Sequence, residues 1–265
     1  MPVDRTLPLV AVDIGNSRTK LGLFTARSAG LPTPQSTLAL GPEWQSAQLE
    51  AWLSAPADQF CWRIASVNRA GTARVLDWLS GRSSSRCQVL SAADYPLAVE
   101  VDEPDKVGMD RLASALGANA LKQPDRAAIV VDLGSAITVD LVSPAGAFRG
   151  GVIMPGIAMS ALALHQFTDL LPLEPMVELS DPPDVLGKTT SACLRAGLYW
   201  GAIGAVRECV SRLNQSDERP QLFVTGGAGA AAARLLFDSA GDPAQLVPHL
   251  TLTGVALMGG DSTRE

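Results

Sequence analysis

The apolar run Leu9-Val10-Ala11-Val12 stops at Asp13-Ile14-Gly15-Asn16-Ser17, and a second run, Leu21-Gly22-Leu23-Phe24, begins shortly after. Two short apolar segments around a polar, glycine-containing turn predict a β-hairpin. The pattern returns in the second half, where Ile129–Thr138 overlays Val10–Thr19 position for position and Val139-Asp140-Leu141-Val142 supplies the second run. Both copies end their first strand in Asp-x-Gly-polar, which points to duplication. Between the hairpins the spacing predicts a loop over Ser28–Pro42, a helix over Glu43–Leu53 and a strand over Cys61–Val67. A helix over Ala70–Ser80 and a strand over Cys87–Leu90 follow, then an extended acidic stretch, Tyr95–Pro104. The next helix is expected from Asp105–Val107 to Leu121, with Met109, Leu112, Ala113, Leu116 and Ala120 as its apolar stripe.

Gln123-Pro124-Asp125-Arg126 reads as the junction, giving domains 1–124 and 125–265. The second half continues with the turn Gly150-Gly151, a strand, Pro155-Gly156 and a helix to Leu171. A Pro/Asp-rich loop, Pro172–Pro183, leads to a long helix, Thr190–Leu213. The strand Gln221–Val224, Thr225-Gly226-Gly227, an Ala-rich helix and the apolar segment Leu250–Met258 complete it. Alternating strands and helices in two hairpin-led halves predict an α/β protein of two related domains facing a cleft.

Composition narrows the function. Among 265 residues, 47% are apolar and 18% charged, so the chain can build packed cores and is not a disordered one. A net charge of −6 with no Lys/Arg block argues against nucleic-acid binding through phosphate neutralisation. No apolar run is long enough for a membrane helix. Met1–Ser17 lacks the layout of a secretory signal. The cysteines Cys61, Cys87, Cys193 and Cys209 are scattered, and His165 and His249 are the only histidines, so no Cys/His zinc site is expected. Free thiols and a cytoplasmic location are the expectation.

The polar turns carry the candidate chemistry. A glycine turn at a strand end lets backbone N–H groups approach phosphate, with Asn, Ser and Thr side chains adding donors. Asp13 and Asp132 would repel bare phosphate, so they make sense with a cation between acid and phosphate. Lys20 could reach a phosphate or sit solvated on its strand. Gly226-Gly227 suits a helix start packed on a nucleotide better than a dinucleotide fingerprint. Gly108-Met109-Asp110-Arg111 places Asp110 in a first helical turn, on a face continued by Ser114 and Gly117. There it could accept a proton from an alcohol, or simply decorate a helix end. Thr190 reads as an N-cap, Gly197, Gly201 and Gly204 read as a close-packing strip, and the apolar Leu194, Leu198 and Trp200 on the same helix, more than one side of a surface helix requires, are expected to face a partner.

Taken in order, Asp13-x-Gly15-Asn16-Ser17, Gly108-x-Asp110-Arg111, Asp132-x-Gly134-Ser135-Ala136, Gly150-Gly151-x-Ile153-x-Pro155-Gly156, Thr168-x-x-Leu171-Pro172, Gly187-x-x-Thr190 and Thr225-Gly226-Gly227 resemble the type III pantothenate kinases. These belong to the superfamily of sugar kinases, Hsp70 and actin. The resemblance implies two duplicated ribonuclease-H-like (actin-like ATPase) domains around a nucleotide cleft, with ATP phosphorylating pantothenate in the first step of coenzyme A synthesis. It implies Asp13, Ile14, Gly15, Asn16, Ser17, Arg18, Thr19 and Lys20 as the first phosphate loop, with Ser135 a further ATP contact. It makes Asp110 the proton acceptor, and Gly108, Met109, Asp110, Arg111 and Thr190 pantothenate contacts. Asp132 matches a ligand of a monovalent cation (K⁺ or NH₄⁺), Mg²⁺ would lie near Asp13, and the assembly would be a homodimer. Two positions depart from the family: Val101 stands where an aromatic is common, and Glu103 where Asn precedes the proline. Those departures keep open a superfamily kinase with another small hydroxyl acceptor. A non-catalytic regulatory factor of the same fold is the other alternative.

Overall fold

The computed structural model describes residues 7–25, 31–82, 86–175, 182–214, 220–237, 241 and 243–258. It divides into two compact units, Met1–Leu121 with His249–Glu265, and Lys122–Pro248.

In the first unit, β1 (Leu9–Ile14) and β2 (Thr19–Phe24) form the expected hairpin. β3 (Ser36–Leu40) extends it antiparallel, and β4 (Cys61–Ser66) and β5 (Cys87–Val89) add parallel strands on the other side, in the order β3-β2-β1-β4-β5. The segment 36–40 was expected to be loop; its half-buried alternation of Ser, Thr, Leu and Ala pairs with β2 instead. Positions 28–30 of that loop lie outside the described residues, as do 176–181 of the Pro172–Pro183 loop. One cluster gathers Val10, Val12, Ile14, Leu21, Trp62 and Ile64 of the sheet with Leu49 of α1 (Ser46–Trp52) and Val75, Trp78 and Leu79 of α2 (Arg69–Leu79).

The helix expected from Asp105 starts later. Pro104–Lys106 is a single 3₁₀ turn, and α3 runs Met109–Leu121. Its buried side is Leu112 to Ala118, so Ser114 and Gly117 face packing rather than a ligand, and Ala120 is exposed. Their partner is α7 (Leu250–Leu257), an apolar helix that also packs on β1. This corrects the expected domain 125–265: the last helix returns to the first unit. Ser114 Oγ and Thr251 Oγ1 share a hydrogen bond of 2.9 Å. A Cβ on Gly117 would stand 2.9 Å from the Leu250 carbonyl oxygen, and one on Gly254 would overlap the Ala113 carbonyl oxygen.

The second unit repeats the plan. β6 (Ala128–Leu133), β7 (Ala136–Val142), β8 (Phe148–Pro155), β9 (Gln221–Thr225) and β10 (Gln245–Leu246) are ordered β10-β9-β6-β7-β8, with parallel and antiparallel neighbours as in the first. The cover includes α4 (Ile157–Gln166), α5 (Thr190–Leu213) and the short α6 (Gly229–Ala233). The register refines the sequence overlay. Asp13 faces Lys20 across its hairpin, whereas Asp132 faces Thr138, so the second turn is one residue tighter and Thr138 corresponds to Lys20, not Thr19. None of the four cysteines is in a disulfide; burial pushes the Cys87 thiol up to about 11.

Close backbone approach makes Gly254 intolerant. Gly254→Ala should lower unfolding free energy by about 3 kcal/mol, since a backbone oxygen cannot swing aside. Gly201→Ala, where a Cβ meets nothing within 4 Å, should be neutral or raise stability by up to ~1 kcal/mol. Denaturant unfolding of both variants checks the contrast.

Candidate functional site

In the first unit the chemistry gathers at the C-terminal ends of β1 and β4. The Gly15 amide donates to the Arg18 carbonyl at 3.0 Å, closing the turn and leaving Asn16, Ser17 and Arg18 exposed. Beside it the Val67 amide donates to the Ile14 carbonyl at 3.0 Å. Asn68 then works twice: its Oδ1 accepts from the Gly71 amide (3.0 Å) as the N-cap of α2, and its Nδ2 donates to the Gly15 carbonyl at 3.4 Å. Asp13 is 7% exposed, with Lys20 Nζ at 4.0 Å. Lys20 is therefore paired across the hairpin rather than simply solvated.

The start of α3 reaches the same edge. A Cβ on Gly108 would stand 3.4 Å from Val67 Cγ1 and 2.5 Å from Asp110 Oδ1, so the missing side chain lets this turn sit against the strand end. Asp110, half-buried, accepts from the Arg111 backbone amide at 2.8 Å through Oδ1. Tyr95 is buried, and its hydroxyl donates to the Met109 carbonyl at 3.1 Å. Burial first, then the negative charges of Asp13, Asp110 and Asp94, push its phenol far above the usual tyrosine range. Val67, bonded to the Ile14 carbonyl and packed against Gly108, brings the turn after Asp13 and the turn before Asp110 to one strand edge. Val101 is half-buried, while Glu103 is exposed and ion-paired with Lys106.

In the second unit, the Gly134 amide donates to the Ala136 carbonyl at 3.1 Å and the Gly156 amide to the Ser135 carbonyl at 3.0 Å. Gly226, at φ +91°, follows β9. A Cβ there would overlap Asp132 Oδ1 and stand 2.6 Å from the Leu133 backbone nitrogen. Only glycine both adopts this conformation easily and leaves room for the carboxylate. Asp132 and Gly226 are thus brought together, with Ser135 in the turn that follows β6, while Gly227 is exposed. Thr190 lies on the exposed first turn of α5. The N-cap expected of it is Thr189, whose Oγ1 accepts from the Ala192 amide at 3.2 Å. Next to it, Ser191 Oγ donates to the buried Glu174 carboxylate.

Asn68 and Tyr95 are the contributors that sequence reading missed. Asn68 had a usable signal, an N-cap residue before a helical stretch; Tyr95 had none, because its partner is a backbone atom fourteen positions on. Among the described residues no group of three or more His, Cys, Asp or Glu could hold a metal ion. The single carboxylates Asp13 and Asp132 instead suit hard cations that take their other ligands from phosphate oxygens and water.

Comparisons with known proteins identify the family and the fold. Residues 9–212 match the family model described as type III pantothenate kinase. A type III pantothenate kinase of Desulfosudis oleivorans is 32% identical over 268 residues, covering 96% of this chain and 99% of the relative. That of Sphingopyxis alaskensis is 30% identical over 265 residues, covering 93% and 95%. Among solved structures, the ethanolamine utilization protein EutJ from Carboxydothermus hydrogenoformans superposes with a TM-score of 0.52 at 18% identity, covering 97% and 92%. The activator of the 2-hydroxyisocaproyl-CoA dehydratase from Clostridium difficile, with bound ADPNP, gives 0.53 at 12% identity, covering 95% and 93%. These structural likenesses establish the fold: a duplicated α/β chain of the actin-like ATPase type.

Proposed function

This chain belongs to the type III pantothenate kinase family, and we propose from that premise how its residues serve the ATP-dependent phosphorylation of pantothenate to 4′-phosphopantothenate. The observation that carries the reading is the meeting of Asp110 and the Asp13 turn at one strand edge.

Asp110 accepts the proton of pantothenate's terminal hydroxyl, which frees that oxygen to attack the γ-phosphorus of ATP in line as the bond to the β,γ-bridging oxygen breaks and ADP leaves. The Arg111 amide, bonded to Oδ1, holds the carboxylate in place during this step. Gly108, Met109, Arg111 and Thr190 contact the acceptor. The turn from Asp13 through Ile14, Gly15, Asn16, Ser17, Arg18 and Thr19 to Lys20 offers amides, hydroxyls and a cation to phosphate oxygens. Ser135, Gly226 and Gly227 serve the nucleotide in the second unit. Asp13 would hold Mg²⁺ together with phosphate oxygens, which offsets the charge of the transferring group. Asp132, seated against Gly226, would hold K⁺ or NH₄⁺.

The kinase acts as a cytoplasmic homodimer in this reading. No helix among the described residues is long and apolar enough to cross a membrane. Gly197, Gly201 and Gly204 lie exposed along α5, and a Cβ on any of them would meet nothing within 4 Å. Nearby sequence adds exposed Phe167 (80%), Leu170 (87%), Val185 (75%) and Leu186 (76%), an unusual amount of apolar surface. Leu198, expected to face a partner, is 8% exposed and belongs to the unit's own core, so it cannot report on assembly.

Asp110→Asn keeps the shape but not the basicity, and turnover should fall by roughly two orders of magnitude or more with ATP binding retained. Near-normal turnover in the folded variant would return Asp110 to a structural role. At constant ionic strength, activity should rise with K⁺ or NH₄⁺ and much less with Na⁺, whose hydration shell is costlier to replace. Equal rates in both salts would remove the cation from Asp132. Gly201→Glu should fold normally yet sediment as a monomer with little activity; a fully active monomer would count against the shared assembly.

A further inference from the structure

Tyr95 closes the 3₁₀ turn Ala92–Asp94, whose Ser91 amide and hydroxyl both bond to the Asp94 carboxylate (2.7 and 2.6 Å). That small knot delivers a ring that is 5% exposed and lies outside the apolar cluster built on Val10, Val12 and Trp62. Its hydroxyl reaches the Met109 carbonyl at 3.1 Å. In α3 this carbonyl has one lone pair committed to the helical ladder, and the phenol occupies the second. The Arg111 and Leu112 amides both fold back on the Gly108 carbonyl, at 3.1 and 3.2 Å, and Gly108 is itself the most flexible kind of residue. A helix end held only by its own atoms frays.

We infer that Tyr95 is a positioning residue for phosphoryl transfer: its buried hydroxyl pins the Met109 carbonyl and thereby fixes the turn that carries Asp110. The inference rests on the reading of Asp110 as proton acceptor. Three features make the phenol suited to the task. Burial and the neighbouring charges of Asp13, Asp110 and Asp94 keep it protonated at working pH, so it always donates. The ring is buried, which holds the hydroxyl beside the turn. The contact is to main chain, so it sets where residue 109 lies, and residue 110 with it, whatever side chain stands at 109.

Tyr95→Phe deletes only the hydroxyl and retains the ring, so the variant should fold. Active sites are counted by isothermal titration with a non-hydrolysable ATP analogue, and turnover is expressed per ATP-binding site. A loss of folded protein leaves that quantity unchanged; a displaced base lowers it. The expected result is a fall in kcat per site of about tenfold with KM for ATP within about twofold, since small misplacements of a reacting group cost rate rather than binding. In the Asp110→Asn background the same substitution should change turnover by less than about twofold, because there is no base left to misplace. Unchanged turnover per site in Tyr95→Phe overturns the inference, and so does an equal fall in both backgrounds. Asp110→Asn with near-normal turnover is a separate outcome; it removes the base assignment and this inference with it.

Discussion

The parallel pairing of β1 with β4 runs to Ile14 opposite Ser66, and one further bond, from the Val67 amide to the Ile14 carbonyl, carries the second chain past the first. Everything at the first unit's edge follows from that overhang. Beyond it the β1 chain turns back through Gly15, and the β4 chain turns out through Asn68 into α2. The open ends of parallel strands are where α/β folds place ligands, because the backbone groups there have no strand partner. Val67, the overhanging residue, is also what Gly108 packs against. A single backbone register therefore positions both the acid of the turn and the acid of the helix.

The second unit reaches an equivalent arrangement with different detail. Its β6/β9 pair brings Gly226 against Asp132, with Asp132 opposite Thr225 in the register. Thr138 faces Asp132 across the hairpin where Lys20 faces Asp13 in the first unit. The first acid is thus already partly balanced by an ammonium group at 4.0 Å. The second faces a neutral hydroxyl residue.

Packing behind the first sheet serves the site as well. α7 is apolar around most of its surface and is covered by α3 and β1, with Gly117 and Gly254 allowing the two helices to touch backbone to backbone. Close approach of this kind leaves little freedom for α3 to slide. The helix that carries Asp110 is held along its length by α7, and at its first turn by Tyr95 and the Gly108 contact.

The sequence by itself determined the repeat, the two hairpins, the identity of the glycine and acid turns, and the order of motifs that marks the family. These are local patterns: apolar runs of strand length, a glycine where a turn must form, an acid beside it. Alternation too weak to read hid β3, and Pro104 invited an early helix start where the chain makes only a 3₁₀ turn. What only the tertiary structure decided is which distant segments meet. The final apolar helix could have covered either sheet by hydropathy, and backbone contact at Gly254 decided for the first. Ser114 and Gly117 read as a ligand-facing strip until α7 covered them, and Leu198 read as an interface residue until the core of its own unit enclosed it. Tyr95 carries no motif at all. A hydrogen bond to a backbone carbonyl leaves no trace in the partner's side chain, so its role exists only once the turn at 95 and the helix at 109 have been folded together.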